Sequence, residues 1–261
     1  MGRCSICIRT GIESMSYQNF AYFYDNLMKE APYDDWVDFV KEIAEKYPLS
    51  GRNILDVGCG TGELATRLSK EGFELTGVDL SEEMLEVAMA KAFDEGVSIH
   101  YFHQDMRELS GLGQYDLVLI FCDSLNYLDG EEDIKKTFAR VGTHLKEDGL
   151  FLFDVHSIHK MATLFNDQVY ADNGDDVSFI WNAWKGDEPH SVHHELTFFM
   201  YDEQTDAYVR FDEDHDQRTY PVEDYVKWLD ESGFECLEIA GDFRQASVDE
   251  AERIFFVCRM K

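Results

Sequence analysis

Ile54-Leu55-Asp56-Val57-Gly58-Cys59-Gly60-Thr61-Gly62 reads as a buried strand, a glycine turn and the opening of a helix. The apolar run needs shelter on both faces, and the alternate glycines let the backbone turn tightly against a ligand that any Cβ would strike. Working outward, Asp34 to Tyr47 carries Trp36, Val37, Val40, Ile43 and Ala44 at helical spacing. Downstream, helices are predicted over Gly62 to Lys70, Ser81 to Glu95 and Asp133 to Leu145, with strands over Phe73 to Val78, Ser98 to Phe102, Asp116 to Phe121 and Leu150 to Asp154. Strands alternating with helices at this spacing build βαβ units and a mostly parallel sheet.

After Val155 the rhythm changes. Val177 to Trp184, Val192 to Tyr201 and Ala207 to Phe211 read as strands joined by turns, with no helix between them. Pro221 is expected at the first position of a helix over Val222 to Ser232, followed by strands Glu235 to Ala240 and Arg253 to Met260. The predicted fold is α/β, a doubly wound Rossmann-like seven-stranded sheet with an antiparallel β insert. Its predicted parts are a disordered tail over 1–14, an N-terminal arm and cofactor-binding core over 15–155, the insert over 156–219, and a return to the core over 220–261.

The glycine spacing narrows the ligand. A dinucleotide fingerprint is GxGxxG, but Glu63 follows Gly62, leaving GxGxG, and no GK[ST] marks a P-loop. A carboxylate at that helix start would also repel a pyrophosphate. Asp79 closes the second strand 23 residues after Asp56, where it can accept from both ribose hydroxyls. Gln104-Asp105-Met106 follows the third strand, where a carboxylate can accept from an adenine amino group. An adenosine ligand without phosphates satisfies all three positions.

At these residues the sequence resembles the class I S-adenosylmethionine-dependent methyltransferases, within them the small-molecule group of aminosugar N,N-dimethyltransferases and glycine N-methyltransferase-like enzymes. The likeness is strong from Tyr17 to Gly149. It implies S-adenosyl-L-methionine as cofactor, with Gly58, Gly60 and Gly62 along its methionyl part and ribose and Asp56 near its amino group. It further implies Asp79 on the ribose, Leu80 and Met106 about the adenine, Asp105 on the adenine amino group, and Tyr24 and Phe121 completing the pocket. A tyrosine-rich arm folds over the cofactor in such enzymes, which singles out Tyr24 first, then Tyr17 or Tyr33.

The acceptor side is expected in Phe121-Cys122-Asp123-Ser124-Leu125-Asn126-Tyr127. Tyr24, Tyr127 and Asn126 are the candidate catalytic residues; Tyr127 stands where some aminosugar enzymes carry histidine. His156 and His159 directly follow the fifth strand and could reach the cleft, but a surface position is the expectation. His193-His194-Glu195 cannot converge on a metal, because neighbours on a strand point to opposite faces, and no metal is expected. Cys4 and Cys7 have no second pair at zinc spacing.

The formal net charge of −30, from 23 basic and 53 acidic residues, repels phosphate backbones and anionic lipid. Fourteen acids against two bases fall between Asn166 and Asp216, which suits a cationic acceptor. No apolar run approaches the roughly 20 residues of a membrane span. The reading is a cytoplasmic S-adenosylmethionine-dependent methyltransferase acting on a small-molecule N or O acceptor. Two alternatives are a tRNA or rRNA base methyltransferase and a non-catalytic S-adenosylmethionine-binding regulatory module.

Overall fold

A computed structural model describes residues 24–25, 28–29, 31–174, 177–202 and 205–261. The expectations for residues 1–14, Cys4, Cys7 and Tyr17 lie outside the described residues.

Helix α1 (Tyr33–Lys46) precedes β1 (Asn53–Val57), α2 (Glu63–Lys70), β2 (Glu74–Asp79), α3 (Glu82–Asp94), β3 (Ile99–His103), β4 (Tyr115–Ile120), α4 (Glu131–Thr143) and β5 (Leu145–His156). Then come α5 (Ile158–Thr163), β6 (Gln168–Asn173), β7 (Val177–Lys185), β8 (Ser191–Asp202), β9 (Ala207–Arg218), α6 (Val222–Glu231), β10 (Phe234–Gly241) and β11 (Arg253–Met260). The main sheet has the order β10-β11-β5-β4-β1-β2-β3. Strands β1 to β5 run parallel, and β11 is antiparallel to both neighbours.

Two apolar layers fix this sheet. On one face Trp36, Val40 and Ile43 of α1 and Leu64 and Leu68 of α2 meet Ile54, Leu117, Leu152 and Phe255. On the other, Phe138 of α4 and Tyr225 and Trp228 of α6 meet Phe151, Phe153 and Phe256. Each such side chain, fully buried, contributes roughly 1.5–3 kcal/mol. Because the chain reverses between β1 and β4, the loops after those two strands part at their carboxyl ends and leave a crevice.

Strands β6-β7-β8-β9 form a separate antiparallel sheet between β5 and α6. Strand β6 and the short helix α5 are additions to the sequence reading, and β9 reaches Arg218 instead of ending at Phe211. The run Asp212 to Gln217 looks like a loop by composition, yet its alternation turns Asp212, Asp214 and Asp216 outward and Gln217 inward. Strand β5 begins five residues early, at Leu145, where a register shift carries Lys146-Glu147-Asp148-Gly149 ahead of the buried stretch. Pro221 caps α6 with φ −53 and ψ 144, an extended conformation one position before the expected one.

Candidate functional site

The glycine turn is pinned from below: the amides of Gly58 and Cys59 both donate to the carbonyl of Val78, at 2.7 and 3.0 Å. Gly58 has φ +73, and a Cβ there would lie 2.8 Å from Ser124, so this position requires glycine. Gly60 also has positive φ (+53), but a Cβ there would meet nothing within 4 Å, which leaves the upper side of the turn open to a ligand. Gly62 likewise turns through positive φ, 70°, at the cap of α2. Ser124, from the loop after β4, donates to the Gly58 carbonyl at 3.3 Å and ties the two sides of the crevice together.

Asp56 is 3% exposed, and its Oδ2 has no hydrogen-bond partner among the described residues. Burial, and then the charge of Asp79, raise its pKa from 3.8 to about 7. Asp79 accepts from the Gly60 amide at 2.7 Å and the Ser81 amide at 2.9 Å, so it shapes the turn while keeping lone pairs for a ligand. Burial raises its pKa and these amides oppose the rise. Leu80 is 63% exposed beside it. Met106 opens a short 3-10 turn and packs on the core. Phe121 is 2% exposed, lines the crevice and lies edge-on to Phe255.

Two residues are more occupied than the sequence suggests. Asp105 accepts from the backbone and guanidinium of Arg107, with the closest contact 2.6 Å, which holds its carboxyl below the usual range. Asn126 is 1% exposed; its Nδ2 donates to the Arg218 carbonyl at 2.8 Å and its Oδ1 accepts from the His156 amide at 2.9 Å. Its amide therefore braces the base of the insert. Glu63 does not present a bare charge to the crevice, because Lys91 and Arg67 each lie 2.8 Å from it.

Tyr24 and Tyr33 line the crevice with Asp56, Gly58, Gly60 and Thr61. Burial raises the pKa of both phenols, so both remain protonated. Asp25 crosses the turn, accepting from Thr61 Oγ1 at 2.5 Å and pairing with Lys91 at 2.7 Å. Tyr127 leaves 49% of its surface exposed, while its hydroxyl sits inside with Gln217 and Asp123. That burial raises its pKa, and the Asp123 carboxylate adds to the rise.

The loop after β4 enters a network that no local motif announces. Cys122 and Asp123 both adopt left-handed backbone conformations, φ 54 and 55, a strain that persists only where the surroundings enforce it. Asp123 accepts from Arg253 at 2.8 Å and Gln217 at 2.7 Å, with His156 Nε2 at 3.3 Å. Burial works to raise its pKa, but His156 and Arg253 hold the carboxyl well below the usual range. Asp154 accepts from the other arm of Arg253 at 2.7 Å and from the Trp36 indole at 2.6 Å; with no exposed surface, it is raised by burial. His156 corrects the surface expectation: it is 4% exposed, burial lowers its pKa to about 4, and its Nδ1 is buried without a partner. A charged residue inside an apolar run, Asp154 in Leu150 to Val155, is the one sequence signal for this network. His193 and His194 diverge as expected, His193 outward to Asp216 at 2.7 Å and His194 inward to the Trp181 indole at 2.9 Å.

This sheet order, with a glycine turn at its switch point facing a polar loop, defines a Rossmann-like α/β enzyme of the class I methyltransferase type. Residues 54–149 match the family described as the methyltransferase domain. A protein of Geobacillus sp. (strain WCH70), named provisionally as a methyltransferase, is 52% identical over 94% of this chain and 100% of its own length. The crystal structure of an S-adenosylmethionine-dependent methyltransferase from Clostridium acetobutylicum ATCC 824 superposes with a TM-score of 0.83, at 32% identity, over 94% of this chain and 98% of that one. The sugar N-methyltransferase KedS8 from Streptoalloteichus sp ATCC 53650 shares the fold, with a TM-score of 0.76 at 21% identity, over 100% and 99% of the two chains. The chain belongs to the S-adenosylmethionine-dependent methyltransferases, and S-adenosylmethionine is its cofactor.

Proposed function

We propose that this enzyme methylates a nitrogen or oxygen of a small-molecule acceptor in the cytoplasm, by in-line displacement. The observation that carries the reading is the floor of the crevice: an unpartnered, buried Asp56 oxygen beneath a turn whose open side is Gly60. A cofactor amino group would satisfy that oxygen, Asp79 would take the ribose, and Leu80, Asp105 and Met106 would hold the adenine. The bound cofactor supplies a methyl on a cationic sulfur, a leaving group that needs no proton.

The protein's work is alignment, which can supply roughly 7–11 kcal/mol of the barrier. Tyr24 would close over the sulfur, and Tyr127 beside Asp123 would orient the nucleophile. The fold shared with a sugar N-methyltransferase supports a small-molecule acceptor. So does the insert, which Gln217 and Asn126 tie across the loop after β4.

Calorimetry separates the cofactors. S-adenosylmethionine should bind in the micromolar range and NAD should give no heat; tight NAD binding alone would sink the site assignment. Asp56 adds a second test. Between 3.8 and about 7 the folded protein keeps a proton that the unfolded chain has lost, so this group's contribution to stability falls as pH rises through that window. A cofactor ammonium beside it would pull its pKa down and expel the proton. At pH 6.5 the binding enthalpy should therefore differ between phosphate and Tris buffers, and the difference should vanish in Asp56→Asn. Equal enthalpies in the native protein would place the amino group elsewhere.

A further inference from the structure

Strand β9 divides its charges by face. Outward, Asp212 pairs with Arg210 at 2.7 Å, and Asp214 and Asp216 lie 3.6 and 2.7 Å from His193. Inward run Val209, Phe211, Glu213, His215 and Gln217, and Glu213 is the acid of that row. Gln217 reaches Asp123 at 2.7 Å, and the His215 ring lies 5.9 Å from the Tyr127 ring. The row therefore leads into the acceptor side of the crevice. Its cover increases in the same direction, from Val209 at 37% exposed to Gln217 at 4%. It forms a ramp from solvent toward the loop after β4.

Glu213 lies half-buried on this ramp. Across the sheet it faces Leu196, 5% exposed, and the next pair along is Phe211 with Phe198, 1% exposed. Among the described residues it has neither a hydrogen bond nor an ion pair. Burial, then Asp214 and Asp212, raise its pKa to about 7. No cation on the row answers it, since burial lowers the pKa of both His215 and His194 and keeps them neutral. A carboxylate held against apolar surface without a partner is costly, and the cost falls when a cation arrives.

Resting on the proposed methyl transfer, we propose that the inner face of the insert is an acceptor subsite in which Glu213 holds a protonated amine remote from the methylated atom. Glu213 stands four residues before Gln217, about 13 Å along an extended strand. The acceptor class is thus an elongated molecule with an ammonium at one end and its nucleophile at the other. A neutral sugar or an anionic acceptor would leave the carboxylate unanswered or repel it.

Spermidine is a suitable probe, titrated by calorimetry into protein saturated with S-adenosylhomocysteine, in about 0.15 M salt to screen diffuse attraction. Native protein should bind it saturably. Glu213→Gln should weaken it at least tenfold, whereas Asp214→Asn, the same charge change on the outer face, should stay within twofold. Equal weakening in both variants, or no saturable binding to native protein, would overturn the subsite. Loss of S-adenosylhomocysteine binding in the native protein would instead overturn the cofactor placement, and the subsite with it. Matching unfolding midpoints for the two variants would exclude a folding defect as the cause.

Discussion

Replacing Arg253 with methionine should lower the free energy of unfolding by roughly 3–5 kcal/mol, the range for removing one partner of a buried ion pair. The guanidinium is 13% exposed and bridges Asp123 and Asp154 at 2.8 and 2.7 Å. Without it two carboxylates share one enclosed space, one at the end of β4 and one in the middle of the sheet. Urea unfolding at neutral pH, followed by circular dichroism, measures the loss. The double variant Arg253→Met with Asp154→Asn should recover part of it by removing the second charge, a coupling typical of contacting residues. A single-variant loss below about 1 kcal/mol would mean that water replaces the guanidinium, against the usual cost of an unpaired buried charge.

Asp79→Ala should weaken S-adenosylmethionine binding on the order of a hundredfold. Two charge-assisted hydrogen bonds at roughly 1.5–3 kcal/mol each are lost, partly offset by water. The same carboxylate accepts from the Gly60 amide, so the turn loosens as well. Asp79→Asn separates the contributions: it keeps an acceptor for Gly60 and gives up the charge, and it should fall between alanine and native protein. A loss under threefold for alanine would move the ribose site away from β2.

The candidate cofactor half of this site could be proposed from the sequence because its parts are local. Strand, glycine turn and helix occupy one run of chain, and Asp79 and Asp105 sit at predictable strand ends. The network around Asp123 was legible only in part: the loop Phe121 to Tyr127 was expected to face the acceptor, but the partners of Asp123 were not. Asp123 follows β4, Asp154 and His156 lie on β5, Arg253 on β11 and Gln217 on β9; the pairing of β4, β5 and β11 gathers the first four, and the insert brings Gln217 to Asp123. His156 reads as a surface residue because it ends a strand, yet Thr219 and Asn126 enclose its backbone from the insert and the β4 loop. Strand β6 escaped notice because Gln168-Val-Tyr-Ala-Asp-Asn173 is mostly exposed and carries little apolar alternation. The boundary of β5 failed for a related reason: charged residues at a strand's entry look like a turn when the partner strand is unknown.

The clasp of Asp25 on Thr61 and Lys91 bears on how the enzyme would be governed inside a cell. Lys91 is 16% exposed and also pairs with Glu63, so the clasp is less screened by salt than a surface contact. It holds Thr61, which lines the crevice where both the cofactor and its demethylated product would rest. Once the two ligands are abundant enough to keep the floor filled, occupancy follows their ratio and not the amount of either. Such an enzyme is throttled by its own spent cofactor, and its output tracks how fast the cell clears S-adenosylhomocysteine.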